Sequence, residues 1–170
     1  LHHRGPSWAD EWIDRDAGVF LGHTRLVTFD PSSASNQPME KEGACIIFNG
    51  EIFNFIDLKR HLSAEGGRFF SKGDTEVLLS AWQRWGDKAL EKFDGAFAFA
   101  IWDGQSGFLA VDQLGEKSLY VLENNEGVYV CNELAPLVEL LSPTPALAGN
   151  RLVAYLSLGY VPAPYTAFDN

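Results

Sequence analysis

Residues 45–48 are apolar without a break: Cys45, Ile46, Ile47 and Phe48. The run stops at Asn49-Gly50-Glu51 and resumes at Ile52 and Phe53. A short apolar run predicts a buried strand, extended here by 52–53, yet Asn-Gly between apolar runs is the usual dipeptide of a solvent hairpin. Upstream, residues 19–29 (VFLGHTRLVTF) are β-branched and aromatic enough for a strand, with Gly22 and Arg25 embedded. A polar loop follows at 31–37. Phe55, Leu58 and Leu62 have helical spacing and predict a helix over 54–66, stopped by Gly66-Gly67. The clearest helix is 74–93, with Val77, Leu78, Ala81, Trp82, Trp85, Ala89 and Leu90 mostly on one face. Short β-prone runs at 96–102, 108–111, 119–122 and 128–131 are separated by turn residues. A short helix is expected at 134–141, a linker around Pro143, Pro145 and Gly149, and a further helical pattern over 150–159. The order is not the alternation of a parallel sheet; it suits antiparallel sheets with helices packed on them.

Composition changes this picture little. A chain of 170 residues, 46% hydrophobic and 21% charged, suits one globular domain. The net charge of −10 and pI near 4.7 argue against a nucleic-acid partner. The longest apolar run, 96–102, is too short to span a bilayer, and no secretory signal pattern opens the chain, so a cytoplasmic protein is expected. Cys45 and Cys131 form no C-x-x-C pair; two reduced thiols are the better reading, one disulfide the other. The chain opens at Leu1 and closes at Asn170 without a helix end, which reads as a fragment.

No Ser-His-Asp order and no metal-ligand spacing are legible; His2, His3, His23 and His61 lack any such pattern, and no metal is expected. Gly104-Gln105-Ser106-Gly107 reads as a hairpin. Charge falls where core or strand edge is expected at Arg25, at Asn49-Gly50-Glu51 and at Asp74. Arg25 either snorkels to solvent or faces a cleft and holds a carboxylate. Asp74 is either a helix N-cap or part of a site. Together, one cation and two carboxylates match an α-amino acid. Arg25 would take its carboxylate, Glu51 and Asp74 its ammonium, and the Asn49 amide and Gly50 N–H would offer two donors for an oxyanion.

The segments HHRGPSW, LGHTRL, NQPM, FNGEIFN, GDTEVLLSAWQRWG, FDGAFAFAIWD and LGYVPAP occur in this order. They resemble the glutaminase domain of glutamine-hydrolysing asparagine synthetases. That domain is a class II glutamine amidotransferase with the N-terminal-nucleophile hydrolase fold. The resemblance implies an α+β fold, a four-layer αββα sandwich of two antiparallel sheets, here lacking its first strand. It implies a glutaminase domain over 1–145, with 146–170 the linker and first helix of a synthetase domain. By resemblance Arg25 binds the α-carboxylate of L-glutamine and Thr28 lines the same site. Asn49 and Gly50 form the oxyanion hole, and Glu51 and Asp74 hold the α-ammonium. The family's nucleophile is an N-terminal cysteine whose α-amine, with a pKa of about 8, relays the proton. No residue of this chain matches it, so the chain alone is expected to be inactive. No cofactor is expected in this chain; ATP and Mg belong to the synthetase domain of the same polypeptide, and a homodimer is implied. The alternative is a degenerate, non-catalytic domain kept for folding or dimer contacts, as in β-lactam synthetase-like proteins. VDQLGEKSLY over 111–120 departs from the family's R-D-R-x-G-x-K-P-L-Y, HRGPS and GDTEV from H-R-G-P-D and S-D-T-E-V.

Overall fold

The computed structural model describes residues 1–27 and 30–169, which fall into two compact units, Leu1–Ser118 and Leu119–Asn170. In the first unit a hairpin, β1 (Trp8–Asp14) and β2 (Val19–Arg25), makes a two-stranded sheet. A second antiparallel sheet has the order β3 (Met39–Lys41), β4 (Ala44–Ile52), β5 (Gly95–Trp102), β6 (Gly107–Val111). Between β4 and β5 run α1 (Phe55–Ala64) and α2 (Thr75–Trp85).

The alternation of β4 and β5 decides what each face of the larger sheet carries. Ile46 faces Ile101, Phe48 faces Phe99 and Gly50 faces Phe97 on one side. These side chains pack with Leu58 and Leu62 of α1 and Val77, Leu78, Leu79 and Ala81 of α2 into the main core. On the other side Asn49 lies opposite Ala98 and Glu51 opposite Ala96, with Cys45, Ile47 and Ala100 further along. That second face looks toward the β1–β2 hairpin: the Trp102 indole donates to Asp14 Oδ2 at 3.3 Å, and His23 Nε2 lies 3.2 Å from the Phe48 carbonyl. Helix, sheet and sheet, three layers of the expected sandwich, therefore lie within this unit.

Most expected elements are present, with shifted bounds. The strand expected over 19–29 ends at Arg25; Thr28 and Phe29 lie outside the described residues. The helix expected over 74–93 breaks at Gly86, whose φ of +61° ends the α-helix, and a 3₁₀ segment continues to Lys92. Strand β1 is absent from the sequence reading because Asp10, Glu11 and Asp14 dilute its apolar pattern; its outer face is exposed, so nothing selects against charge there. Asp14 also builds the turn into β2, its Oδ1 accepting the amides of Asp16 and Ala17 at 3.1 and 3.0 Å. The hairpin between β5 and β6 is as expected, with Asp103 Oδ1 accepting the Gln105 and Ser106 amides.

Asp112 ties the turn after β6 to β5. Its carboxylate accepts the amides of Phe97, Leu114, Glu116 and Lys117 at 3.0–3.2 Å. Burial alone would raise its pKa, but these amides outweigh it and hold the group below the ordinary range.

The second unit contains the hairpin β7 (Tyr120–Asn124) and β8 (Gly127–Cys131), then α3 (Leu134–Glu139) and α4 (Gly149–Leu158). Asn124 Oδ1 closes the hairpin by accepting the Glu126 and Gly127 amides. Both cysteines are free thiols, Cys45 buried and Cys131 partly so. Among the described residues no helix is long and apolar enough to cross a membrane.

Phe99, 1% exposed, sits between Phe97 and Phe108 with ring centroids 5.7 and 6.2 Å away. Phe99→Ala should cost about 3–5 kcal/mol of unfolding free energy, measured by equilibrium urea denaturation.

Candidate active site

The stretch from Asn49 to Glu51 is strand, not a solvent hairpin: all three residues pair within β4, opposite Ala98, Phe97 and Ala96. The glycine is required here. Gly50 has φ of +142°, and a Cβ at this position would lie 2.1 Å from the Ala96 carbonyl oxygen. Across from it, Ala96 and Ala98 are the smallest side chains that keep the strand, which leaves room beside Asn49 and Glu51. Both are partly exposed at the rim of the buried alanine face.

Asp74 occupies the N-cap position of α2, its carbonyl accepting the Leu78 amide at 2.8 Å, but its side chain makes no cap hydrogen bond. Its Oδ2 accepts the Ile52 amide of β4 at 2.9 Å. This one bond ties the start of α2 to the end of the strand that carries Asn49, Gly50 and Glu51. Asp74 is buried, and burial raises its pKa above the ordinary value; the Ile52 amide opposes this, and the neighbouring Glu51 charge adds to it. Asp74 is thus held at the end of β4, where Glu51 is the next acidic side chain along the strand.

Arg25 does not snorkel. It is 8% exposed, and three of its guanidinium N–H groups hold the following loop. Nη1 donates to the Ser32 carbonyl at 3.0 Å and to Asn36 Oδ1 at 2.6 Å, and Nη2 donates to the Asp30 carbonyl. Asp30 then passes the connection on. Its carboxylate accepts the Ser32 amide, the Ser35 hydroxyl and the Lys72 amide at 2.7–2.9 Å. The Lys72 amide, more than any other contact, holds Asp30 well below the usual carboxylate range. Next to Lys72, a Cβ on Gly73 would meet the Ser35 hydroxyl at 2.9 Å. A continuous path therefore runs from Arg25 through the 30–36 loop to Lys72, Gly73 and Asp74.

A second strap crosses from the same loop. Gln37 Oε1 accepts the Phe48 amide at 2.6 Å while its Nε2 donates to Thr75 Oγ1 at 3.3 Å. The Phe48 carbonyl is held from the other side by His23, whose Nδ1 is buried without a partner. Burial lowers the His23 pKa, the Phe48 carbonyl opposing this and the Arg25 charge adding to it, so the ring is neutral at pH 7 and donates through Nε2.

The structure thus brings Asn49, Gly50, Glu51 and Asp74 together at one end of β4, and Arg25 is tied to them through the loop. Thr28 lies outside the described residues. Sequence reasoning missed Asp30, Gln37 and the orienting role of His23. Their signal was weak: polar residues in a polar loop, and a histidine in a strand. Cys45 is no candidate nucleophile. Burial, reinforced by Glu40, pushes its thiol up to about 12, and it lies within β4, paired with Trp102.

Two substitutions test this geometry. Gly50→Ala should shift the end of β4 and lower stability, seen as a reduced urea midpoint. Asp74→Asn keeps an acceptor for the Ile52 amide but removes the charge. A carboxyl group with a raised folded-state pKa destabilises the fold above that pKa and ceases to do so as pH falls toward its unfolded value of about 3.8. The stability of Asp74→Asn relative to the unmodified protein should therefore improve from pH 4 to pH 8 in paired urea titrations.

The glutamine amidotransferase domain model matches residues 1–170. A putative glutamine-hydrolysing asparagine synthetase of Mycobacterium tuberculosis is 34% identical over 98% of this chain and 28% of its own length. Glutamine-hydrolysing asparagine synthetase 1 of Bacillus subtilis is 36% identical over 96% of this chain and 26% of its own. This chain thus spans little more than a quarter of these relatives. Among solved structures, the glutamine phosphoribosylpyrophosphate amidotransferase of B. subtilis, complexed with ADP and GMP, superposes with a TM-score of 0.57 at 26% identity, covering 66% of this chain and 27% of that one. The mixed antiparallel fold is that of the class II, N-terminal-nucleophile amidotransferases, and this chain belongs to the glutamine amidotransferase family.

Proposed function

We propose that this chain is the glutamine-hydrolysing part of an asparagine synthetase-like enzyme, with residues 1–145 as the glutaminase domain and 146–170 leading into a synthetase domain. The observation that carries the reading is the carboxylate pair Glu51 and Asp74 at the end of the Asn49-Gly50 strand, where burial and like charge raise the Asp74 pKa. An ammonium placed between them relieves both. A free α-amino acid supplies that ammonium, and Asn49 and Gly50 then stand beside its side chain as donors.

In this reading the α-carboxylate of L-glutamine meets Arg25. Three guanidinium N–H bonds hold the loop, so the ligand is met by the remaining N–H groups. A thiolate attacks the side-chain carboxamide carbon, and the C=O π electrons move onto oxygen, where Asn49 and Gly50 donate to the oxyanion. Collapse expels ammonia, protonated by the base that took the thiol proton, and leaves a γ-glutamyl thioester. Water then attacks the thioester, glutamate leaves, and the thiol is regenerated. Cys45 cannot supply the thiol, so the nucleophilic cysteine with its α-amine comes from outside residues 1–170. The ammonia goes to an ATP-activated carboxylate in the synthetase domain, where ATP and Mg would bind. The length of the relatives beyond this match supports such a domain.

The second reading is a domain that keeps the fold and lacks the chemistry. Glutamate release from glutamine by the intact protein separates the two. In the catalytic case Asn49→Ala should lower kcat by about 10²–10³ with little change in KM. Absence of any glutamate release, with glutamine binding retained, favours the second reading.

A further inference from the structure

Glu76 is a charged side chain that the chemistry above leaves unused. It is the second residue of α2, a position where carboxylates normally face water and the helix dipole. Here it is 4% exposed and accepts hydrogen bonds from four donors. Lys41 Nζ donates at 2.9 Å, the Ser71 amide at 2.7 Å and the Ser71 hydroxyl at 2.8 Å, while the Phe70 amide lies 3.1 and 3.0 Å from its two oxygens. Burial would raise its pKa, but the Lys41 ammonium and Ser71 outweigh it, so the group stays ionised.

These contacts fix residues 68–72, the segment that leads into Asp74. Lys41 Nζ also donates to the Arg68 carbonyl at 2.6 Å and lies 4.6 Å from the Phe69 ring centre. Lys59 Nζ donates to the Ser71 carbonyl at 2.8 Å. From the opposite side, Asp30 takes the next amide, that of Lys72. Two buried carboxylates thus grip three consecutive amides, Glu76 at Phe70 and Ser71, Asp30 at Lys72. Asp74 is two residues further on and is delivered to the Ile52 amide. The helix itself does not need Glu76, because Val77, Leu78, Leu79 and Ala81 anchor it at 0% exposure.

We propose that Glu76, with Lys41 as its counterion, is a positioning residue that sets Asp74 for recognition of the ligand's α-ammonium. The inference rests on the assignment of Asp74 to that ammonium. Its effect is specific: a misplaced Asp74 weakens recognition of an α-amino group and leaves recognition of the rest of the ligand intact.

The test compares L-glutamate with glutarate, which differ only in the α-amino group and are not turned over. Calorimetry on the intact protein gives the preference for glutamate over glutarate. Glu76→Gln should lower that preference about tenfold or more, with glutarate affinity held within about twofold. Lys41→Met, which leaves the Glu76 charge uncompensated, should move the preference the same way and serves if Glu76→Gln does not fold. Equal losses for both ligands, or an unchanged preference, overturn the role of Glu76. Asp74→Asn is the control for the reading beneath it. If the unmodified protein shows no preference, or Asp74→Asn retains it, the ammonium assignment fails and the proposal falls with it.

Discussion

The close approach of β4 and β5 is the constraint on which the remaining geometry depends. The two strands pair from Cys45 through Ile52, and near the site end the chain removes side chains to allow it. Gly50 has no Cβ to strike the Ala96 carbonyl, and Gly95 has none to strike the Glu51 carbonyl. One face of this pair is filled by Phe48, Phe97, Phe99 and Ile101, which carry most of the burial against α1 and α2. The other face is lined by alanines, so polar side chains from β4 stand there without displacing core.

Charged groups then act as internal struts. Arg25 holds the 30–36 loop, Asp30 passes the hold to the 70–72 segment, and Asp74 returns it to β4. None of these is a surface ion pair of small value. Each buried charge is hydrogen-bonded to backbone groups, so removing one partner leaves others desolvated and unpaired. The arrangement specifies one geometry for a stretch of chain that has little regular secondary structure of its own.

Much of this was legible in the sequence because periodicity carries it. The runs at 45–48, 55–62 and 96–102 report their elements directly, and the alternation of Ala and Phe in GAFAFAIW states which face of β5 is core. The polar interruption at Asn49-Gly50-Glu51 stood out for the same reason, being an exception to a strong pattern. Strand β1 was not, since its faces lack contrast, and the limit of α2 at Gly86 was hidden by apolar spacing that continues through Leu90. The partners of Arg25 and Asp74 were beyond any pattern. Both bond to backbone groups of segments distant in sequence, and a carbonyl or amide has no letter. Asp74 looked like a cap because a cap is the nearest backbone amide available to it; the fold offers the amide of Ile52 instead.

The two faces of the larger sheet also separate two kinds of selection. Changes at Phe48, Phe97 or Phe99 alter packing, whereas changes at Asn49 or Glu51 fall opposite alanines and leave that packing untouched. A lineage could therefore exchange the polar residues one at a time, losing or altering chemistry, while the domain continued to fold. In this architecture the scaffold is able to outlive its reaction, and inheritance of the shape alone does not guarantee inheritance of the activity.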